Sequence, residues 1–335
     1  MREDSHVRRL LLLVVLVLAG CGGKTVVREP AVQVSGSDNP PVAGAPAPDD
    51  AVRIAVVTHG PASSKFWAII RNGVDAAARR LDVLVDYQAP DVFSVERMSE
   101  MIDDAVATNP DGLVVSLPSK GLAPAIRRAV KAGVPVISIN SGSDSFRELG
   151  VLAHVGQVED RAGLETGRRL VAAGARKVMC LNHETDNVGV DARCAGIERA
   201  LREAGGTSTV LPIDDDAPGL PARIAGAAGA RGVDAVVATN GPGGLAAAEG
   251  LERTDVKVAT FDLGPDVIEA VQAGRIDFAV DQQPYLQGYM PIEMLALRAR
   301  YGIMPAQGDV VSTGPNFVTR SNAAQALELS RRSIR

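Results

Sequence analysis

The sequence predicts an α/β fold in which two similar lobes each carry a doubly wound, Rossmann-like parallel sheet. Its 335 residues are enough for about two domains. From Val52 on, short runs rich in β-branched residues alternate with longer amphipathic stretches, which is the pattern of βαβ units. The pattern of the first half also recurs in the second half. Length, periodicity and repetition therefore all indicate two lobes of one architecture.

The predicted strands and helices follow one another in regular alternation. Strands are identified by short apolar runs and helices by longer stretches with apolar residues three to four apart. Strands are expected at residues 53–57, 81–86, 112–116, 134–139, 177–181, 235–238, 256–261 and 278–281, and helices at 66–81, 95–108, 122–131, 160–173, 191–203, 244–251 and 265–273.

An internal repeat supports the two lobes. The segment RIAVVTHG at 53–60 precedes a polar loop and a helix, and KVMCLNHE at 177–184 precedes another loop and helix. Ligands of open α/β sheets bind outside the carboxyl ends of the strands. The polar residues that follow each strand are therefore the candidates for a binding site in a cleft between the lobes.

The N-terminus has the pattern of an export signal. Three arginines among the first nine residues precede an apolar run at 10–18 that is too short to cross a bilayer. The run ends in Leu-Ala-Gly-Cys, which resembles the bacterial lipobox. Residues 1–21 are expected to be a lipoprotein signal peptide with lipid attached at Cys21, and ordinary cleavage before an unmodified Cys21 is the alternative.

A segment rich in Pro, Gly and Ala follows the signal. Residues 22–50 show neither helical nor strand periodicity. Such a segment buries too little apolar surface to offset the entropy of ordering it. We expect a flexible tether between the membrane anchor and the lobes.

Composition and motifs exclude several function classes. The chain has 35 Lys and Arg against 40 Asp and Glu, without a basic stripe interleaved with aromatics, so a nucleic-acid partner is not expected. The sequence contains no GxGxxG, Walker, GxSxG or HExxH motif, so an enzyme is not expected either. No cofactor is expected. The polar cluster of His183, Glu184 and Asp186 lacks a second pair at ligand spacing, so no metal site is expected.

Four segments resemble the type I periplasmic binding proteins for simple sugars, typified by ribose-binding and galactose-binding proteins. They are GVPVISIN at 133–140, AHVGQ at 153–157, ATFD at 259–262 and AVDQQPYLQG at 279–288. The similarity extends over residues 52–322. It implies the periplasmic binding protein type I fold and the role of substrate-binding lipoprotein for a sugar ABC transporter, with the permease as partner.

The resemblance also implies how the chain is divided. Three crossings, near residues 153–156, 282–284 and 311–313, form a hinge between the lobes, and a ligand that contacts both lobes favours the closed state. The expected segments are an N-terminal lobe of residues 51–153 and 283–311, a C-terminal lobe of residues 154–282 and 312–322, and a C-terminal tail of residues 323–335.

The family's ligand contacts carry over to several positions of the first lobe. Phe66 and Trp67 stand where paired aromatic rings stack on the sugar, and a core pair at a helix start is the alternative. Asn140 and Ser141 stand where the family frequently has an Asp followed by an Arg. This departure suggests a ligand with a different hydroxyl pattern.

The second lobe and the hinge supply the other expected contacts. Arg193 stands where an arginine reaches the sugar, and a surface ion pair with Asp191 is the alternative. Asn240 can both donate to and accept from a hydroxyl, with a turn that does not touch the ligand as the alternative. Asp262 can accept from two hydroxyls, with capping of the next helix as the alternative. Gln282 matches the family's hinge glutamine.

Two features stay open at this point. The neighbouring Gln283 can replace Gln282 in the alignment. Cys180 and Cys194 bracket the loop before the second lobe's first helix, and they are either two buried thiols or a disulfide.

The combined prediction is an extracytoplasmic, lipid-anchored solute-binding protein. It captures a monosaccharide or polyol by hinge closure and delivers it to an ABC transporter permease. The alternative is a sensory receptor that presents an autoinducer or polyol to a membrane partner.

Overall fold

The computed structural model describes residues 51–61 and 64–335. The predicted signal peptide (residues 1–21), its lipidation site Cys21 and the predicted tether (residues 22–50) lie outside the described residues. The described chain forms two six-stranded sheets flanked by helices, which confirms the predicted α/β fold class.

Strands and helices alternate along most of the chain. In chain order the elements are β1 (Val52–Val57), α1 (Lys65–Leu81), β2 (Val83–Gln88), α2 (Val95–Ala107), β3 (Gly112–Ser116), α3 (Ala123–Lys131), β4 (Val136–Ile139), β5 (Ala153–Gly156), α4 (Glu159–Ala172), β6 (Lys177–Asn182), α5 (Val188–Glu203), β7 (Thr207–Pro212), α6 (Leu220–Arg231), β8 (Ala235–Ala238), α7 (Gly241–Gly250), β9 (Lys257–Phe261), α8 (Pro265–Ala273), β10 (Phe278–Asp281), α9 (Pro284–Tyr301), β11 (Val310–Ser312), β12 (Asn316–Val318) and α10 (Ala323–Arg331).

The two sheets have the same strand order. The first sheet runs β11-β5-β4-β3-β1-β2 and the second runs β12-β10-β9-β8-β6-β7. All neighbours in the first sheet are parallel. In the second sheet only the edge strand β12 pairs antiparallel, with β10. The chain therefore passes between the sheets three times: after β5, after β10, and between β11 and β12.

Both faces of each sheet are covered. In β1, Ile54 and Val56 face the core beneath α1 and α9, whereas Ala55 and Val57 face the core beneath α2 and α3. This alternation follows from the two-residue period of a strand, and burial of both faces explains why the central strands are continuous apolar runs.

Glycines bring three pairs of helices unusually close, one of them α6 and α7, where a Cβ atom at Gly250 would collide with the carbonyl of Pro221. A Cβ atom at Gly73 of α1 would collide with the carbonyl of Tyr285 in α9. In the same way, a Cβ atom at Gly163 of α4 would collide with the carbonyl of Arg193 in α5. Each sheet therefore has at least one tightly joined helix pair, and in the second sheet the contact of α4 with α5 fixes the position of the Arg193 backbone.

The C-terminal segment is structured. The residues that the sequence analysis assigns to a tail include helix α10, in which Ala323 and Ala326 are buried in the core of the second sheet. None of the helices in the described part of the chain is both long and apolar enough to cross a membrane.

Candidate functional site

The carboxyl ends of the strands of both sheets meet in a closed interface. Ser141, after β4, donates from Oγ to Oδ1 of Asn187 before α5, at 3.0 Å. The backbone N–H of Val188 donates to the carbonyl of Pro118 after β3, at 2.9 Å. The Nδ2 of Asn140 lies 3.4 Å from Oε1 of Gln282. The structure is therefore the closed form of a two-sided cleft.

A histidine on the first sheet is held by a serine hydroxyl. The backbone N–H of His59, which follows β1, donates to Oγ of Ser116 at 3.0 Å, and its Nδ1 lies 2.8 Å from the same oxygen. Burial, and then the nearby His183, lower the pKa of His59 to about 3. The imidazole is therefore neutral at physiological pH, with Nε2 directed to the interface, 3.5 Å from Nδ2 of Asn187.

The second sheet repeats this arrangement. The backbone N–H of His183, after β6, donates to Oγ1 of Thr239 at 3.3 Å, and its Nδ1 lies 2.8 Å from that oxygen. Thr239 donates its own proton to the carbonyl of Leu181, so it accepts from Nδ1–H of His183. The Nε2 of His183 is therefore a hydrogen-bond acceptor. Burial, and then Arg193, lower the pKa of His183 to about 4.

Glu184 stands between the two imidazoles. Its Oε1 is 3.8 Å from Nε2 of His59, and its Oε2 is 4.0 Å from Nε2 of His183. Both distances are too long for hydrogen bonds. Burial raises the pKa of Glu184, although the hydrogen bond from Asn187 opposes the shift. Glu184 therefore has a hydrogen bond from Asn187 but none from either imidazole.

Arg193 is buried and paired with Glu159. Its Nε and Nη2 donate to the two carboxylate oxygens of Glu159 at 2.7 and 3.0 Å, and its Nη1 donates to the carbonyl of Thr239 at 2.9 Å. The guanidinium carbon also lies 4.7 Å from the centre of the Phe261 ring. The surface pair with Asp191 is not present, because Asp191 accepts from Asn182 instead.

Asp262 points toward the hinge. It has a left-handed backbone (φ 66°) and accepts from Nε2 of Gln282 at 2.6 Å. Burial raises the pKa of Asp262 to about 6, and the charge of Arg193 limits the shift. The carboxylate is therefore ionised at neutral pH. It does not cap the next helix, since Gly264 occupies the N-cap of α8.

The comparisons with known proteins agree with this architecture. Residues 54–302 match the family model described as a periplasmic binding protein domain. This chain belongs to that family.

Solved and curated relatives cover most of this binding protein. A carbohydrate transporter from Acidothermus cellulolyticus 11B, in complex with myo-inositol, is 32% identical, with a TM-score of 0.79 over 85% of this chain and 100% of that chain. A xylose/arabinose-binding protein from Sulfolobus acidocaldarius is 24% identical over 80% of this chain and 71% of its own length. An ABC transporter solute-binding protein from Burkholderia graminis C4D1M, in complex with D-arabinose, is 21% identical with a TM-score of 0.72, over 81% of this chain and 96% of that chain.

These matches confirm the predicted family and the predicted function class. The protein is a periplasmic solute-binding protein that captures its solute between two α/β units for a transporter. The individual contact residues that the sequence analysis assigns remain predictions.

The structure brings most of the predicted contact residues of this binding protein together. Gln282 joins the two walls of the cleft because it hydrogen-bonds both Asn140 and Asp262. Its neighbour Gln283 is the N-cap residue of α9, and its backbone N–H donates to Asp281 at 2.8 Å. Gln282 is therefore the member of the pair whose side chain lies at the interface.

The predicted aromatic pair is divided between two roles. Trp67 is only 6% exposed and packs edge-on against the His59 ring, with centroids 4.7 Å apart. Any side chain at Gly60 would overlap its indole. Phe66 is half-buried and lines a residual cavity of about 10 Å³ with Asp262, which is room for one water.

The side chain of Asn240 hydrogen-bonds only to residues of its own sheet's unit in this structure. Its Oδ1 accepts from the backbone N–H of Gly243 at the start of α7, at 3.0 Å, and its Nδ2 donates to Asp215. Both polar ends of the side chain are therefore already bonded within the second sheet's unit.

A disulfide joins Cys180 of β6 to Cys194 of α5, with Cα atoms 5.8 Å apart. It ties the first turns of α5 to the adjacent strand. Among the described residues, no three His, Cys, Asp or Glu side chains are arranged to hold a metal ion.

Sequence reasoning missed the residues that support this site. Glu159 and Thr239 lie outside the candidate segments, whereas His59, Ser116 and Asn187 lie within segments that follow predicted strands but have no assigned supporting role. The recurrence of histidine directly after the first strand of each half was the available signal. Nothing in the local sequence marks Glu159 as the partner of Arg193, because the two residues are 34 apart.

Proposed function

We propose that this protein captures a neutral, polyhydroxylated ring of monosaccharide size, with myo-inositol as the first candidate, and delivers it to an ABC transporter permease. The support comes from the 32% identical relative in complex with myo-inositol and from the pentose-binding relatives. The observation that carries the proposal is that the single buried arginine of the cleft is already neutralised by Glu159.

The charge balance favours a neutral ligand. Asp262 and Glu184 are both near Arg193, whose charge is paired with Glu159. An anionic ligand, such as a sugar acid or a phosphorylated sugar, would have to enter next to these carboxylates without a free cation to compensate it. Hydroxyl groups instead can donate to the carboxylate of Asp262 through charge-assisted bonds.

The two amide side chains at the interface favour hydroxyl groups for another reason. Asn140 and Gln282 both carry an amide, which can donate and accept at once, as an alcohol requires. Their mutual contact of 3.4 Å is long, so it is readily exchanged for bonds to a ligand. Phe66, beside Asp262, supplies an apolar ring face for the C–H groups of the ligand. Arg193 completes the contacts, because its bonds to Glu159 and Thr239 use three of its five N–H groups.

Isothermal titration calorimetry tests this proposal. Myo-inositol, D-xylose, D-arabinose and D-glucose are titrated alongside glucuronate and myo-inositol 1-phosphate. We expect at least one neutral compound to bind with micromolar or tighter affinity and both anions to bind at least about 100-fold more weakly, since burying an uncompensated charge costs several kcal/mol. Preferential binding of either anion would overturn the assignment.

We also propose that the mature protein is held at the membrane by lipid on Cys21. The lipobox-like Leu-Ala-Gly-Cys after the apolar run supports this. Cells that express the chain are fed an alkyne-tagged fatty acid, and the protein is purified and tested for the tag. Label on the wild type but not on Cys21→Ser supports the anchor, whereas equal label or none on both contradicts it.

A further inference from the structure

We propose that one end of the first sheet's unit, hereafter the basal patch, docks on the surface of a membrane that carries anionic lipid headgroups. The basal patch lies at the amino ends of the strands and comprises side chains at the C-terminal ends of α1 and α9: Arg79, Arg80, Arg300, Tyr301 and Ile303. This goes beyond the proposed function, because it concerns a surface away from the cleft and a partner other than the solute or the permease.

The basal patch lies where the described chain begins. Val52, the first residue of β1, pairs with Val83 of β2, which directly follows the end of α1. The guanidinium of Arg300 donates to the carbonyl of Leu81 at 2.6 Å, so α9 ends beside α1. The chain that leads back to Cys21, the proposed lipidation site, therefore joins the fold at this patch.

The basal patch carries an excess of positive charge. Arg79 and Arg80 are exposed in the last turn of α1 and form no ion pair with the described residues. Arg300 donates to the carbonyls of Leu81 and Asp82, which leave its charge uncompensated. The carboxylate of Asp82, at the C-cap of α1, and the carbonyls of the two helix ends offset this charge only in part. An anionic membrane attracts arginines that lie within a Debye length of its surface.

Two exposed apolar side chains stand beside the arginines. Tyr301 and Ile303 are each 57% exposed. The backbone here is fixed, because Gly302 ends α9 in the left-handed conformation (φ 70°) and Met304 packs against the core beneath α1 and α9. Tyrosine is favoured at the level of the lipid headgroups, and an isoleucine can enter the boundary between headgroups and acyl chains. The basal patch therefore combines the charge and the apolar contacts that membrane surfaces bind.

The equivalent end of the second sheet's unit differs in both respects. There Arg168 of α4 and Arg202 of α5 are each paired with a glutamate of α5. The left-handed glycine that follows α4, Gly174, is flanked by two alanines. Uncompensated arginines and exposed apolar side chains thus occur together at the end to which the chain from Cys21 is attached, and not at its counterpart.

A membrane is the occupant that these observations favour. Lipid on Cys21 would hold the fold to the bilayer through the chain that enters at the basal patch, so this end would reach the headgroups first. The cleft lies at the opposite, carboxyl ends of the strands. Docking by the basal patch therefore leaves the cleft accessible to the solute.

Cosedimentation with lipid vesicles tests the proposal. The mature chain carrying Cys21→Ser, which has neither signal peptide nor lipid, is mixed at low ionic strength with vesicles of phosphatidylglycerol and phosphatidylcholine or of phosphatidylcholine alone. We expect binding to the anionic vesicles only, and its loss in about 0.5 M salt. Arg79→Gln with Arg80→Gln should weaken binding about 10- to 30-fold. The matched control, Arg168→Gln with Arg202→Gln, removes two exposed arginines at the equivalent end of the second unit and should bind like the parent chain.

A fluorescent label locates the contact independently of the charge variants. The environment-sensitive NBD group is attached to Ile303→Cys or to Val92→Cys, which is exposed in the loop after β2, at the carboxyl end of that strand. Labelling is specific because Cys180 and Cys194 are joined in a disulfide. With anionic vesicles, we expect the fluorescence at position 303 to increase and shift to the blue, and the fluorescence at position 92 to stay unchanged.

Several results would overturn the basal patch as a membrane-docking surface. They are no binding of the Cys21→Ser chain to anionic vesicles, equal binding by the two double variants, or equal responses from the two labels. A dimer in sedimentation velocity that Arg79→Gln with Arg80→Gln dissociates would assign the patch to a second copy of the chain instead. These measurements use neither the solute nor the lipid on Cys21, so they hold whether or not the proposed ligand class and anchor are correct.

Discussion

The two walls of the cleft share a scaffold but differ in charge. On the first wall Ser116 holds His59, and on the second Thr239 holds His183 through the same two contacts. At the far end of each sheet, Asp111 and Asp234 accept from the first backbone N–H groups of the central strands in matching positions.

The polar side chains at the interface diverge from this common scaffold. The first wall presents the neutral side chains of Asn140 and Ser141, whereas the second presents Asp262 and the buried pair of Arg193 and Glu159. Duplicated architecture has thus preserved the supports and separated the chemistry. We expect the largest losses of stability and binding from substitutions at the charged groups of the second wall, and smaller losses from substitutions at the neutral groups of the first.

The largest effect is expected at the buried ion pair. Arg193→Ala leaves Glu159 charged and unpaired in the interior, which costs about 3–5 kcal/mol in the free energy of unfolding and abolishes measurable binding. Urea denaturation and calorimetry measure the two effects.

Two controls isolate the buried charge. Arg199→Ala removes the exposed ion pair with Asp160 between the same two helices, so it should leave both measurements unchanged. The double variant Arg193→Met with Glu159→Met should recover much of the stability but not the binding. If Arg193→Ala were as stable as Arg199→Ala, the contrast between the walls would be lost.

The next effect is expected at the charge of Asp262. Asp262→Asn tolerates the left-handed backbone and keeps the shape, but it removes the ionised acceptor. Ligand affinity should fall about 10- to 150-fold, the value of one charge-assisted hydrogen bond. Calorimetry measures the affinity, and Asp266→Asn, at an exposed position in the first turn of α8, is the control. Equal affinities for the two variants would remove Asp262 from the site.

Acid should reduce the folding stability that depends on the neutral form of the two histidines. The folded protein holds His59 neutral, with its pKa lowered to about 3, whereas the unfolded chain protonates it near pH 6.5. The stability that it contributes is complete above pH 6.5 and is lost as the pH falls toward 3. Asp262, with its pKa raised to about 6, has the opposite dependence between about pH 4 and 6.

Comparing His59→Gln with the wild type isolates one histidine from the opposing groups. Between pH 7 and pH 5 the wild type should lose about 2 kcal/mol more stability than His59→Gln in urea denaturation. His183→Gln should show the same direction with a similar size, because burial also lowers the pKa of His183, to about 4. Parallel pH profiles for all three proteins would show that the histidines are not kept neutral by folding.

The smallest losses of stability are expected at Ser116 and Thr239, whose hydroxyl groups hold His59 and His183. Ser116→Ala removes the contacts to His59 and should cost about 1 kcal/mol of stability. Thr239→Val removes the equivalent contacts and also the bond to the carbonyl of Leu181, so its cost should be larger. Thermal or urea denaturation ranks the two. A larger effect for Ser116→Ala would contradict the tautomer assigned to His183.

The fold could be predicted from sequence where a buried strand is mainly apolar. The central strands β3, β4, β8 and β9 are mainly apolar and almost fully buried, and all four were predicted. Four strands were missed. The residues of the edge strand β7 are at least partly exposed and it has no apolar run. The apolar run of β5 is interrupted by His154, and β11 and β12 have only three residues each.

Three helices were missed, for different reasons. Helix α10 lies in the segment that was predicted to be a C-terminal tail. Helix α6 is composed largely of Ala and Gly, so its apolar stripe is weak. Helix α9 contains Pro291 and Gly288, which are ordinarily helix-breaking residues. In α9 the glycine is required by the close approach to α1, which only the assembled structure shows.

The residues of the site could also be predicted only where a local sequence pattern marks them. Residues that end strands, such as Asn140 and Asp262, could be selected because the carboxyl edge of a parallel sheet is identifiable from sequence. Partners such as Glu159 could not, because their roles depend on which segments the fold brings together from distant parts of the chain.

The close contact of Gly163 with Arg193 has a mechanical consequence. Helix α4 begins directly after the first crossing between the sheets, and α5 carries the residues that meet the opposite wall. Because the two helices are in backbone contact, they move as one rigid body when the backbone at the crossing rotates. A rotation at this crossing would thus be transmitted directly to Arg193, because Arg193 pairs with Glu159, the first residue of α4.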